Sequence, residues 1–95
     1  MPRKKLIVRI MERIDKELEE DERGVFIILY DFKNRSYMPK EFYYALKELE
    51  ENGHYVDRIQ KSAYLTNSLR TARIIIELAK HYGAEVRAFE VSKEV

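Results

Sequence analysis

Val25-Phe26-Ile27-Ile28-Leu29-Tyr30-Asp31 decides the fold. Its first six residues are apolar, β-branched or aromatic, and they are bounded by Gly24 and by the carboxylate of Asp31. A run this short that is apolar on both faces predicts a central strand covered by helices on at least one side.

Downstream, Phe32 to Met38 is predicted to be a polar loop, and Pro39 stands where a first helical turn accepts it. Phe42, Ala45, Leu46 and Leu49 then recur at helical spacing until Asn52-Gly53 supplies a stop, which predicts a helix over 39–52. Tyr55 to Gln60 and Ser62 to Thr66 have strand composition with no strong turn dipeptide between them, which predicts two short strands or one long strand with a bend near Lys61. Thr66, Asn67 and Ser68 offer caps for a helix carrying Ala72, Ile75, Ile76, Ala79 and Tyr82 on one face and ending at Gly83. Ala84 to Val91 is a last strand, followed by a short tail. Upstream, Ile7, Ile10, Met11, Ile14 and Leu18 form one stripe of an amphipathic helix over 4–21, and that stripe must dock on the domain or on a partner chain.

The element order is a helix followed by β-α-β-β-α-β. It predicts an α+β fold: a ferredoxin-like βαββαβ four-stranded antiparallel sheet with an extra N-terminal helix. Residues 1–23 are the amphipathic helix and 24–95 the ferredoxin-like domain, with the first and third strands side by side in the middle of the sheet.

Ninety-five residues are enough for one hydrophobic core. Charged residues make up 37% of the chain, so the surface is dense in both signs, as in heat-adapted proteins. The absence of cysteine excludes disulfides, thiolate metal sites and a cysteine nucleophile, and His54 and His81 are too few for a histidine-rich centre. Serine has no suggested triad partners, and the three glycines form no phosphate loop. No apolar run reaches the roughly 18 residues needed to span a bilayer. The start Met1-Pro2-Arg3-Lys4-Lys5 lacks a signal-peptide core, so the expectation is a cytoplasmic protein with no membrane association. The net charge of +1 hides a polarity, because Arg3, Lys4, Lys5, Arg9 and Arg13 precede an acidic block from Asp15 to Glu22.

Asp31 is the candidate catalytic and metal-binding residue, since a carboxylate directly after a buried strand is held rigidly. The competing view is that it caps a turn. One carboxylate is a poor site for magnesium, the one cofactor considered, but two-fold pairing of chains would supply a second Asp31. Lys33, Arg35, Lys40, Arg58, Lys61, Arg70 and Arg73 are the candidate nucleic-acid-binding residues. Tyr30, Tyr37, Tyr43, Tyr44, Tyr55 and Tyr64 are interleaved with them and able to stack on unpaired bases. Taken singly, Tyr30, Tyr44 and Tyr64 fit better as packing residues, and the cations as partners of nearby glutamates; only the cluster as a set argues for nucleic acid.

Val25 to Asp31, with its terminal Tyr-Asp, resembles the first strand of the small CRISPR-associated ferredoxin-fold proteins that pair with the integrase during spacer acquisition, and of the related VapD toxin-like ribonucleases. Tyr55-Val56-Asp57-Arg58-Ile59-Gln60-Lys61-Ser62-Ala63-Tyr64-Leu65 resembles their second and third strands. In element order the likeness spans residues 24 to 91. It implies a homodimer, DNA or RNA as partner, and a divalent metal held by Asp31 across the two-fold axis. The chain departs from that pattern in its N-terminal helix and in Phe32-Lys33-Asn34-Arg35, which follow the aspartate where the family has further acidic or hydroxyl residues. Cations there repel a metal, so weak or absent cleavage is expected. Three functions follow: a nucleic-acid-binding homodimer, which is favoured, a small protein-interaction module, and a magnesium-dependent endonuclease with paired Asp31.

Overall fold

The computed structural model describes residues 5–33, 38–93 and 95. Its elements run α1 (Leu6–Glu17), β1 (Arg23–Asp31), α2 (Lys40–Glu51), β2 (Asp57–Gln60), β3 (Ala63–Ser68), α3 (Leu69–His81) and β4 (Glu85–Val91). The four strands form one antiparallel sheet in the order β2-β3-β1-β4, so the fold is α+β and compatible with the ferredoxin-like arrangement.

Alternation along β1 sets the layers. Phe26, Ile28 and Tyr30 are buried under the helices, whereas Val25 and Leu29 point to the opposite face and are 40% and 41% exposed. Register extends that second face across the sheet: Val25 pairs with Val91, Ile27 with Phe89 and Leu65, and Leu29 with Arg87 and Ala63. No helix among the described residues covers it.

The helices supply the other half of the core. Phe42, Leu46 and Leu49 of α2 and Ile74, Ile75 and Leu78 of α3 are buried with Phe26, Ile28 and Tyr30. Gly53 and Gly83 adopt φ of 91° and 92° just after α2 and α3, a conformation that ends a helix without the strain a β-carbon would bring. Ser68 caps α3 by accepting from the Thr71 amide at 3.3 Å.

The stripe of α1 docks within the chain. Ile7, Ile10 and Ile14 belong to the same buried core, with Met11 and Leu18 packed against it, so the stripe leaves nothing to explain by a partner. Helix α1 runs antiparallel to α3, because Arg13 pairs with Glu77 at 2.8 Å and Glu17 with Arg73 at 2.7 Å. It ends at Glu17 rather than near residue 21. Glu19, Glu20, Asp21 and Glu22 would place four carboxylates at the negative end of the helix dipole, and the chain turns away instead.

Two smaller differences have similar causes. Strand β3 runs two residues beyond its expected end at Thr66, through Asn67 to Ser68, because Arg23 pairs with Ser68, and of the three candidate caps it is Ser68 that caps α3. Phe32, expected in a polar loop, is buried against Tyr30 and Phe42 with ring centroids 5.7 and 5.5 Å away. Tyr30, Phe32, Phe42 and Tyr64 thus form an aromatic cluster that fixes the carboxyl end of β1.

Candidate nucleic-acid interface

Asp31 ends β1 on the uncovered face, exposed, where the aromatic cluster beneath holds its backbone. The Tyr30 hydroxyl, on the core side, donates to the Lys61 carbonyl at 2.8 Å, and Arg58 Nη2 donates to the same oxygen at 2.9 Å. Together they pin the turn between β2 and β3 beside the end of β1. Burial pushes the Tyr30 and Tyr64 phenols above their ordinary value, so both are neutral hydrogen-bonding groups at physiological pH.

Glu85 stands beside Asp31, as its Cα partner on β4. The two carboxylates border a cleft of about 290 Å³ that also takes in Leu29, Gln60, Ser62 and Arg87. Lys33 reaches Glu85 at 2.8 Å, and that hydrogen bond and charge, with Asp31 adding a smaller attraction, hold its ammonium above the usual lysine value. Among the described residues no group of three or more acidic or histidine side chains is arranged to hold a metal.

Topology collects cations at this end of the sheet. Helix α2 begins here with Lys40, and its Phe42 packs on Tyr30 and Phe32. Lys61 lies in the pinned turn next to Arg58, and α3 ends here with Lys80 just before Glu85 meets Asp31. Arg87 stands across from Leu29, 5.4 Å from the Phe89 ring centroid. Of the candidates read from the sequence, Lys33, Lys40, Arg58 and Lys61 are therefore brought together, while Arg35 and Tyr37 lie outside the described residues.

Arg70 and Arg73 are placed at the opposite end, where β1 begins. Arg70 Nε lies 3.1 Å from Asp15, its Nη2 donates to the Leu18 carbonyl at 3.2 Å, and Arg73 is held by Glu17. Both fasten α1 to α3. That end is acidic, with Asp15, Glu17, Glu19, Glu20, Asp21 and Glu22 leading into β1. Asp21 completes the fastening by accepting from the Ser68 hydroxyl at 2.5 Å and the Arg70 amide at 3.0 Å.

The tyrosines divide. Tyr30 and Tyr64 are buried, with ring centroids 5.7 Å apart, whereas Tyr43, Tyr44 and Tyr55 are exposed. Tyr44, taken singly, was expected to pack, yet it is 64% exposed because Phe42, Ala45, Leu46 and Leu49 already fill the buried stripe of α2. Glu85, Lys80 and Arg87 escaped sequence reasoning. Strand alternation alone would have put Glu85 and Arg87 on one face with each other, but their adjacency to Asp31 and Leu29 depends on the pairing register. Among the described residues no helix is long and apolar enough to cross a membrane. Comparison with family models, with curated proteins and with solved structures finds no match to this chain.

Proposed function

We propose that the protein is a homodimer that binds DNA or RNA through the end of the sheet marked by Asp31. The observation that carries this reading is the unequal charge of the sheet's two ends: Lys33, Lys40, Arg58, Lys61, Lys80 and Arg87 outnumber Asp31, Glu41 and Glu85 at one, and the carboxylates from Asp15 to Glu22 outnumber Arg23, Arg70 and Arg73 at the other. A polyanion is drawn to the first and repelled by the second. The candidate contacts are flexible cations, and no helix offers a row of base-reading side chains, so affinity is electrostatic and weakly sequence-specific. Pairing of two chains is supported by the apolar face of Val25, Ile27, Leu29, Leu65 and Phe89, which a solitary domain would leave in water.

The test is binding of a labelled oligonucleotide across a salt series. Wild-type affinity is expected to fall steeply with salt, and Lys40→Glu/Lys61→Glu to weaken binding at least about tenfold at low salt. Arg9→Glu/Lys16→Glu, an equal change of charge on α1, should have a much smaller effect. Equal losses in the two double variants would refute the proposed surface.

A magnesium-dependent endonuclease is the second reading, and what favours it is Glu85 beside Asp31. The donors fit a hard cation in type, since both are carboxylates, and the ion would supply charge neutralisation to a phosphate. Lys33 already occupies Glu85, so an ion has to compete with an ammonium, and weak or absent cleavage remains the expectation.

A further inference from the structure

The helical layer carries a slot of about 280 Å³ at the Asp31 end of the molecule. It opens there because α1 runs antiparallel to α3, so that the start of α1, the start of α2 and the end of α3 meet. Leu6, Ile7 and Ala45 give it an aliphatic lining, and Tyr44 and Tyr82 add two aromatic side chains. Of the charged residues on its border, Lys5 and Glu48 neutralise each other across 2.6 Å, which leaves Glu41.

Tyr44 is exposed but braced. Tyr43, from outside the slot, meets it edge to face with ring centroids 5.8 Å apart, and Lys47 Nζ lies 5.5 Å from the centroid of Tyr43. Lys40 and Lys47 stand about one turn before and after Tyr44 on the exposed side of α2. Neither lysine has a carboxylate partner among the described residues. Glu50 and Glu51 follow on the last turn, so this combination of rings and free cations is confined to the first two.

We infer, resting on the nucleic-acid reading above, that the ligand is single-stranded and that one unpaired base enters this slot and stacks on Tyr44. Size limits the occupant, because a cleft just under the roughly 300 Å³ of the smallest ligand pockets admits one planar ring system and little more. Aromatic walls favour a π-face, which every base has, and a braced ring loses little freedom when a base settles on it. Lys40 and Lys47 supply phosphate contacts on either side of the stacked base, and Lys40 continues the cationic end of the sheet. Glu41 is able to accept from a base N–H at the border of the slot. A duplex keeps its bases paired and stacked on one another, so it can satisfy the lysines but not the slot.

Fluorescence anisotropy tests this with three short labelled probes matched in phosphate number: a mixed-sequence single strand, its abasic counterpart and a hairpin duplex. The single strand is expected to bind at least about fivefold more tightly than either of the others. Tyr44→Ala should abolish most of that preference and leave abasic and duplex binding unchanged, whereas Tyr44→Phe, which keeps the ring, should retain it. Tyr55→Ala removes another half-exposed ring, beside Asp21 at the acidic end, and should also retain it. Circular dichroism checks that the variants are folded, as expected for substitutions at exposed side chains. Equal affinity for the three probes with the salt dependence intact would overturn the inference and leave the electrostatic surface standing. So would a parallel loss on all three probes in Tyr44→Ala, or an equal loss of preference in Tyr55→Ala. Absence of binding to any probe would overturn this inference together with the reading it rests on.

Discussion

Asp31 and Glu85 meet because β1 and β4 pair in one register, and a shift by a single residue would send one of them to the core face. The aspartate was legible in the sequence, since a carboxylate that closes an apolar strand announces an exposed and rigid position. Its glutamate neighbour was not, because fifty-odd residues separate them and only long-range pairing makes them adjacent. Their roles separate in one substitution. Asp31→Asn keeps shape and hydrogen bonding while removing a negative charge beside the cations, so oligonucleotide affinity is expected to rise up to about threefold and the fold to be unaffected. The same variant tests the second reading. Magnesium-dependent cleavage by a nuclease-free wild-type sample that disappears in Asp31→Asn would establish the endonuclease and displace the expectation of weak or absent activity.

At the level of elements, periodicity located the three described helices, an apolar run located β1, and composition located β2 and β3 without separating them firmly, while the errors lie mostly at ends where polar chemistry overrides pattern. Helix α1 stops early under its acidic block, and the stretch after it becomes a latch: Asp21 on Ser68 and Arg70, with Asp15 and Glu17 on Arg70 and Arg73. Arg70 and Arg73 were expected at the nucleic-acid surface because sequence position does not reveal which end of a helix faces which end of a sheet. Asp21→Ala leaves the Ser68 hydroxyl and the Arg70 amide without their acceptor, and is expected to cost about 1–3 kcal/mol in urea unfolding. Acid should loosen the same latch. Burial opposes the charge on Asp21, but the Ser68 and Arg70 hydrogen bonds and the charges of Arg70 and Arg23 outweigh it and hold the carboxyl below its ordinary 3.8. Burial also depresses His54, which shares a 2.6 Å hydrogen bond with Thr71, below its ordinary 6.5, against the attraction of Asp15 and Asp21. For both groups the unfolded chain binds protons more readily, so their stabilisation is complete above those ordinary values and drains away as pH falls through the lowered ones. A melting curve series from about pH 7 to about pH 3 should therefore show a decline beginning near the histidine value and steepening near the carboxylate value. In Asp21→Asn the second stage should shrink.

For the molecule as a whole, the sheet face is the feature with most at stake. The sequence offered two reasons for expecting two chains, the stripe of α1 and an uncovered sheet face; the stripe is consumed inside the core, so the apolar sheet face carries the expectation alone. Leu29 and Phe89, 41% and 46% exposed, lie near its middle. Light scattering at micromolar concentration is expected to give twice the monomer mass for the wild type and the monomer mass for Leu29→Asp/Phe89→Asp. A wild-type monomer would sink the dimer.

The way α1 is fastened also bears on the birth of the protein. Chains leave the ribosome from the N-terminus, and the early segments α1 and β1 both complete themselves on late ones: α1 on α3, β1 on β3 and β4. Hydrogen bonds between the two regions span 47 to 56 residues of chain. Until residue 63 and beyond have emerged, α1 lacks α3 and β1 lacks both of its strand neighbours, with only α2 at hand to cover part of the apolar run of β1. Completion of the sheet and of the α1 packing thus waits for the segment from residue 63 onward, and such long-range pairing makes folding slower than local contacts would.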